Sequence, residues 1–518
     1  MLPLPIAVLV SVLAGAVFAR AFPAANIWVL AFPGVGGMLL ALRGRGFLSG
    51  ALVGFAGGLA FWFTLIQWVT LFLGPLPLLA AGTFEALLMG VGGGVIALAY
   101  RSVPLLWNSA WGRLGLTPLL VAGAWTAREA VASTWPYGGF AWGRIALSQS
   151  TSPFAQLSAW FGLTGLGFVL AWLTAFAVAC LTEPRGRFAA VPAGAPSRRE
   201  AALPRLLALA VLAGLLLAIP QFRPTEAGVL RVAAVQPNTH SGYFDPLNDP
   251  SKNLDATVQA TVPVLGRGAQ LIVWPEGASE SDPFSDSSVR ARFDSVATLA
   301  GAPLLTGALT QRDGLAYNSS LLWTAGAGIT AIYDKAHPVP FAEYVPDRAF
   351  WTPFAPGLLK LIGRDYTLGT RPSVMDVGGV RVGVDICFDI VDDGLMLGSV
   401  SDGAQILVAQ TNNADFGTTD ENEQQLAIAR LRAIETGRSV VTVSTVASTT
   451  IIAPDGTTIS AAKPFTAQAL VNDVPLAHGT TPAVAFGVAL GAAIAVLGAL
   501  LPLLAAVLAR PLRRRRAA

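Results

Sequence analysis

The sequence predicts a polytopic α-helical membrane domain of about eight spans joined to an extramembrane domain built as a layered α/β or α+β sandwich. Three observations predict it. The 518-residue chain is 53% hydrophobic and only 13% charged, against roughly one quarter charged in soluble proteins. Apolar stretches fill the N-terminal part and recur near the C-terminus, each close to the roughly 20 residues that cross about 30 Å of hydrocarbon. Between them the composition changes to short apolar runs, Asp-Gly and Gly-Gly turns and most of the acidic residues, as in a soluble domain of ordinary size.

The expected spans are Leu4 to Phe22, Ile27 to Leu42, Phe47 to Leu71, Leu76 to Tyr100, Leu116 to Thr134, Phe154 to Leu181, Leu203 to Ile219 and Val484 to Leu508. They divide the chain into a transmembrane part, 1–225, an extramembrane domain, 226–480, and a last span with a basic tail, 481–518. The first stretch lacks a basic leader and other hydrophobic stretches follow at once, so it reads as an uncleaved span, not a removed signal. Arginines give an independent reading of direction: Arg43 and Arg45 follow span two, Arg101 and Arg113 follow span four, Arg185, Arg187, Arg198, Arg199 and Arg205 surround the link from six to seven, and Arg513 to Arg516 follow span eight. Basic residues favour cytoplasmic ends, which puts both termini in the cytoplasm and the extramembrane domain on the other side. The formal net charge is only +3, and arginines confined to such loops form no nucleic-acid face. Inside the spans, Glu85, Arg128 and Glu129 each cost a few kcal/mol at the bilayer centre unless paired. Structural pairing or snorkelling is one account of them, and a polar lining for a headgroup or peptide is another.

In the extramembrane domain, strand-like runs fall at Val229 to Val235, Leu271 to Trp274, Pro303 to Leu309, Ser320 to Trp323, Ile329 to Tyr333, Ile406 to Gln410 and Val440 to Val446, with helical patterns at Asp255 to Leu265, Ser287 to Ala300 and Thr419 to Arg438. Strands and helices mixed in this way make a layered sandwich. A further pair, Ser373 to Val377 and Val382 to Ile390, brackets Gly378-Gly379 and reads as a tight hairpin. Its second arm carries Cys387. The other cysteine, Cys180, falls in span six, so a disulfide is not expected, and a free thiol outside the cytoplasm asks for a reason. Most free cysteines are buried apolar filler, and Cys387 alone fits that account.

Its companions change the balance. Leu271 to Glu276 is an apolar strand broken by Pro275 and ending in a carboxylate, and Lys335 closes another strand. Side chains at strand ends project from a rigid sheet, so Glu276, Lys335 and Cys387 can converge. A carboxylate that takes the thiol proton, a lysine that supports thiolate and oxyanion, and a sulfur nucleophile together describe acyl transfer through a thioester. Lys335 is one of few lysines in a chain that strongly prefers arginine, a sign that a compact ammonium is wanted there.

The order Trp-Pro-Glu, then Lys-x-His-x-Val-Pro-Phe-x-Glu-Tyr-Val-Pro, then Ile-Cys-Phe-Asp resembles the nitrilase superfamily. With seven preceding spans and one trailing span, nearly the whole chain resembles the apolipoprotein N-acyltransferase family, whose members add the third acyl chain to bacterial lipoproteins. Trp135 to Gln149, with Gly139-Phe140-Ala141-Trp142-Gly143, and Ala429 to Glu435 add to the likeness. The resemblance implies a nitrilase-like α-β-β-α sandwich with Glu276 as general base, Lys335 as oxyanion and thiolate stabiliser, Cys387 as nucleophile, and Glu343 and Asp389 as supporting residues. Glu343 also fits a loop carboxylate that bonds local backbone. Asp389 stands where glutamate is usual, Phe388 replaces tyrosine, Ala342 replaces glycine, Asp415 holds a place where tryptophan is common, and Thr445-Val446-Ala447 lacks an Asn-Gly pair; these departures bear on lipid and peptide selectivity.

The resemblance further implies a multi-pass protein of the bacterial plasma (inner) membrane, with its catalytic domain on the extracytoplasmic side. Its partners would be a phospholipid acyl donor, a diacylated apolipoprotein acceptor and the membrane lipids, with no nucleic acid; neither cofactor nor metal is called for. Two lipid-anchored substrates give a reason for fusing a thiol hydrolase-like domain to eight spans, since confinement orients both, and a dry approach from the membrane protects the thioester. A membrane-tethered nitrilase-type amidohydrolase acting on small amides is the nearest rival, and a transporter or scaffold with a ligand-binding outward domain is another.

Overall fold

A computed structural model describes residues 1–71, 74–182, 198–239, 250–363 and 365–512. Arg185, Arg187 and the run Arg513 to Arg516 lie outside them. The chain separates into two compact units, one of Met1–Thr70, Gly74–Gln221 and Phe486–Ala518, the other chiefly Phe222–Ala485.

The described residues of the first unit form helices and their connections, with no strand among them. Helices α1 (Leu4–Ala19), α2 (Ala31–Leu42), α3 (Phe47–Leu65), α4 (Pro75–Leu106), α5 (Thr117–Ala132), α6 (Ser158–Thr182) and α7 (Arg198–Leu217), with the closing helix Pro482–Leu508, stand at all eight expected places. Four helical stretches, Phe47–Leu65, Pro75–Leu106, Pro153–Thr182 and Pro482–Leu512, are long and apolar enough to cross a membrane; Leu4–Ala19, Trp28–Leu42 and Leu203–Leu217 are shorter apolar helices. Boundaries differ where local chemistry intervenes. The third stretch leaves the α-helix at Leu65 and continues as a 3₁₀ turn, Gln67–Leu71, and the fourth continues through Pro104 to Leu106. Large apolar side chains such as Leu13, Leu48, Leu87 and Phe486 are exposed, the inverse of a soluble bundle.

Small residues let these helices approach closely. A Cβ on Gly57 of α3 would lie 2.3 Å from Ser11 Oγ of α1, and one on Gly498 of the closing helix 2.1 Å from the Gly123 carbonyl oxygen of α5. The charged residues inside the bundle are buried. Arg128 pairs with Glu129 at 3.3 Å and lies over the Trp125 ring. Glu129 Oε1 also accepts from Trp125 Nε1 at 2.8 Å and from the Ile145 backbone N–H at 3.1 Å. Pairing thus accounts for Arg128 and Glu129, while Glu85 Oε2 is buried without a hydrogen-bond partner among the described residues.

The second unit is a four-layer sandwich. One six-stranded sheet has the order β12-β1-β2-β3-β4-β5 and the other β11-β10-β9-β8-β7-β6. The strands are β1 (Thr225–Gln236), β2 (Leu271–Val273), β3 (Leu304–Arg312), β4 (Leu315–Thr324), β5 (Gly328–Asp334), β6 (Val374–Val377), β7 (Val380–Ile386), β8 (Ile406–Thr411), β9 (Val440–Ser444), β10 (Thr450–Ile452), β11 (Thr458–Ala461) and β12 (Gln468–His478). Parallel pairing holds the centre of each sheet, β1-β2-β3 and β7-β8-β9, and antiparallel strands finish the edges. Alternate residues of facing strands, among them Val232, Val273, Leu305, Val382, Val384, Ile386, Val408 and Val441, form the core between the sheets. On the outside of the first sheet, α8 (Pro250–Thr261) and α9 (Ser287–Ala300) bury Leu254, Val289 and Phe293 against Ala233, Ile272 and Trp274. Short helices α10 (Arg348–Trp351) and α11 (Pro356–Leu359) lie in the long connection after β5, and α12 (Asp393–Ser401) and α13 (Glu421–Thr436) pack on the second sheet.

Every expected strand and helix of this unit is found, with shifted ends. Gly378 and Gly379 have φ of 60° and 88°, as a two-residue turn between β6 and β7 requires. The second arm does not run to Ile390: β7 stops at Ile386, and Cys387–Val391 is a 3₁₀ turn. Strands β10, β11 and β12 are additional to the expected set.

Candidate active site

Glu276 lies just beyond β2. The strand is held on both sides of its end: Trp274 Nε1 donates to Thr261 Oγ1 of α8 at 2.9 Å, and the Trp274 carbonyl accepts from Gln410 Nε2 of β8 at 2.7 Å, a tie between the two sheets. Lys335 follows β5, and its backbone N–H donates to the Asn318 carbonyl of β4 at 2.8 Å. The ammonium, 2% exposed, lies 3.3 Å from Glu276 Oε1 and 2.8 Å from Glu343 Oε2. Two carboxylates, one 59 residues before Lys335 and one 8 residues after it, thereby contact the same ammonium.

Each carboxylate has further donors. Glu276 Oε1 accepts from Asn318 Nδ2 at 2.7 Å and Oε2 from the Asn412 backbone N–H at 2.8 Å. Glu343 accepts from Asn318 Nδ2 at 3.3 Å and from the Val339 backbone N–H at 2.6 Å. Glu343 is thus both a local loop carboxylate and a partner of Lys335.

Cys387 leaves β7 in the left-handed backbone region, φ 52°, which costs a non-glycine residue of order 1 kcal/mol or more and is held only by its surroundings. Asp389 supplies part of that hold. It is fully buried, and its carboxylate accepts from Tyr333 Oη at 2.8 Å, from the His337 backbone N–H at 2.8 Å and from the Ile386 backbone N–H at 3.2 Å. One side chain thereby joins the end of β5, the loop after Lys335 and the strand before Cys387. The shorter aspartate is therefore fully engaged. Arg432 of α13 holds the other end of the turn, donating to the Ile390 and Val391 carbonyls at 2.8 Å each.

Electrostatics couple the set. Burial raises the Glu276 carboxyl above its ordinary value, and the Lys335 charge opposes that. Burial works against the Lys335 ammonium, but Glu276 and Glu343 outweigh it and hold its pKa well above the usual lysine range. Burial, then the Glu276 charge, push the Cys387 thiol well up, with Lys335 pulling the other way. These directions favour the thiol form of Cys387, a Glu276 carboxylate of increased basicity and a held Lys335 ammonium, each acting on the charge of the others. Such a set can remove the thiol proton as a carbonyl arrives and meet the developing oxyanion with positive charge.

Asn318, which reaches both glutamates, was not expected from the sequence; its one signal is an amide inside a strand, where asparagine is depleted. Among the described residues no group of three His, Cys, Asp or Glu is arranged to hold a metal ion.

Two family models match the chain: carbon-nitrogen hydrolase over residues 231–481, and the apolipoprotein N-acyltransferase N-terminal domain over residues 14–176. An apolipoprotein N-acyltransferase of Mycolicibacterium smegmatis is 31% identical over 93% of this chain and 82% of its own length. One of Geobacter metallireducens is 28% identical over 91% and 90%, respectively. Among solved structures, an amidase from Nesterenkonia sp. matches with 18% identity and a TM-score of 0.38, covering 49% of this chain and 94% of that one. The carbon-nitrogen hydrolase match falls on the sandwich just described, the N-terminal match falls on the helical bundle, and the chain belongs to the apolipoprotein N-acyltransferase family.

Proposed function

We propose that this protein transfers a fatty acyl chain from a membrane phospholipid, through a thioester on Cys387, to the α-amino group of the N-terminal diacylglyceryl-cysteine of apolipoproteins. The observation that carries the reading is the buried contact of Lys335 with Glu276 and Glu343, beside a thiol whose charge state responds to the same groups.

In the first half-reaction Cys387 Sγ attacks the phospholipid ester carbonyl while Glu276 takes the thiol proton. Lys335 supports the oxyanion. As the tetrahedral species collapses, the carbon–oxygen bond to glycerol breaks, Glu276 returns its proton to that oxygen, and a lysophospholipid departs. In the second, the acceptor amine attacks the thioester carbonyl, Glu276 takes a proton from nitrogen, and the carbon–sulfur bond breaks. That proton returns to the Cys387 thiolate, leaving an amide and the starting enzyme. Glu343 holds the ammonium in place, and Asp389 holds the turn that presents the sulfur.

We read all eight apolar helices as spans, with both termini cytoplasmic and the catalytic domain on the outer face of a bacterial plasma membrane. Helices at all eight places support the count, and the arginines after even-numbered spans support the direction.

The test is incubation of purified full-length protein with a phospholipid labelled in its acyl chain. A hydroxylamine-sensitive adduct on Cys387 is expected, and the label should pass to the amine of a diacylated peptide. An adduct that persists unchanged in Cys387→Ala protein overturns the mechanism.

A further inference from the structure

On the α13 side of Cys387, Gln425 Nε2 donates to Cys387 Sγ at 3.7 Å. An amide can present either its oxygen or its nitrogen to a neighbour, so the direction has to be read from its partners. Asn413, fully buried, decides it. Its Oδ1 accepts from three hydroxyls, Thr411 Oγ1 at 2.5 Å, Ser444 Oγ at 2.6 Å and Ser448 Oγ at 2.8 Å. With the oxygen so occupied, Nδ2 is the donor end, and it donates to Glu421 Oε2 and to Gln425 Oε1, both at 2.9 Å. The Gln425 oxygen is thus committed to Asn413. Its nitrogen is the end left for the sulfur.

Gln425, Asn413 and Glu421 are all buried, and none is sequestered in the Glu276–Lys335–Glu343 cluster. A buried network that costs this much to satisfy and ends on the reacting atom has a use if the sulfur becomes charged, because a hydrogen bond to a thiolate is stronger than one to a thiol.

We propose that Gln425 is a catalytic residue that donates its side-chain N–H to the Cys387 sulfur as negative charge develops there, with Asn413 as the positioning residue that sets the direction of the amide. The inference rests on Cys387 being the nucleophile. It assigns the sulfur a donor for the moment when Cys387 is the leaving group of the thioester, when the acceptor amine has attacked and the carbon–sulfur bond breaks. Lys335 is then engaged with the oxyanion.

The experiment compares full-length wild type, Gln425→Met and Asn413→Asp. Methionine has similar length and no donor. Aspartate at 413 is an acceptor only, so it draws Gln425 Nε2 toward itself and turns Oε1 to the sulfur, although Gln425 is still present. Glu276, Lys335, Glu343 and Glu421, the titratable groups that act on Cys387, keep their surroundings in Gln425→Met; Asn413→Asp takes a donor from Glu421 and adds a carboxyl, so support for the proposal rests on the methionine variant and the aspartate variant serves to overturn it. The readouts are the pH profile of Cys387 alkylation by iodoacetamide, the rate of adduct formation from labelled phospholipid, and the rate at which a preformed acyl-enzyme passes its label to a diacylated peptide. Both variants should move the alkylation profile to higher pH by about one unit and slow label transfer about tenfold, as expected for one hydrogen bond to a charged group. Profiles and rates that superimpose on wild type in Gln425→Met overturn the proposal, as does Asn413→Asp behaving like wild type should the methionine variant not fold. Wild-type protein that forms no Cys387 adduct overturns the parent reading instead, and the two failures are told apart by that control.

Discussion

Asp389 offers the sharpest test of how the site is held. Replacing it with alanine leaves three donors, the Tyr333 hydroxyl and the backbone N–H groups of His337 and Ile386, without an acceptor in a place that is 0% exposed. A buried donor left unpaired costs about 1–3 kcal/mol. Because the three share one acceptor and relax together, the sum is not additive, and about 4 kcal/mol is expected. For a domain of this size that corresponds to a melting temperature lower by about 10 °C. Asp389→Asn should fall between: it keeps one acceptor oxygen, its NH₂ faces a backbone N–H, and the Tyr333 hydroxyl can turn to accept. Thermal unfolding of the purified protein in detergent, followed by near-ultraviolet circular dichroism, measures the shift. Acyl-adduct formation measured in parallel should slow in the same order, since the loop after Lys335 and the strand before Cys387 lose their common anchor. An alanine variant that melts within a degree or two of wild type and acylates at the wild-type rate refutes the account.

Two further outcomes follow from the buried charges. Lys335→Met leaves Glu276 and Glu343 facing each other without a cation, so the variant should be less stable by about 3–5 kcal/mol, the cost of breaking a buried pair. It should form no adduct at neutral pH, and Lys335→Arg should fail to restore it because a guanidinium does not fit a site where the ammonium is 2% exposed; mass spectrometry of the labelled protein checks both. Burial holds the Glu421 carboxyl up at about 8. A carboxyl raised on folding contributes stability that is complete below its unfolded value and is lost as pH climbs through the folded one. Stability should therefore fall between about pH 5 and pH 8 in wild type, by on the order of a few kcal/mol, with melting temperature falling in step, and both should stay flatter in Glu421→Gln. Parallel curves would show that Glu421 is not buried in a neutral form.

The helices and strands were legible because burial imposes a period. Apolar runs marked the places of all eight helices, four of them in stretches long enough to cross a membrane, and the fully buried β8 and β9 read as mostly apolar strands, as parallel central strands do. The two glycines at 378 and 379 stated their own turn. What the periods missed lies at the edges. Thr450–Ile452 and Thr458–Ala461 are short strands, and β11 is mostly exposed, so little apolar pattern marks them. β12 alternates, but its partner β1 is over two hundred residues away, and nothing local announces that pairing.

The site divides along a similar line. Lys335 stood out because residue type itself reported geometry: a chain that prefers arginine used a compact ammonium where two carboxylates approach within 3.3 Å and 2.8 Å of one nitrogen. Glu276 and Cys387 were visible as chemically distinctive residues just beyond apolar strands. The left-handed backbone at Cys387 was not visible, since the strand pattern of Val382, Val384 and Ile386 continues through Ile390 by hydropathy alone, and it ends where Asp389 folds back onto the Ile386 N–H and Arg432 takes the Ile390 and Val391 carbonyls. Asn318, Asn413 and Gln425 were silent for a deeper reason. An amide carries no charge and has no characteristic spacing, and its meaning lies in which of its two ends faces which partner. That direction is decided by hydroxyls and carboxylates from other strands and helices, so it comes into being only once the sheets have closed around them.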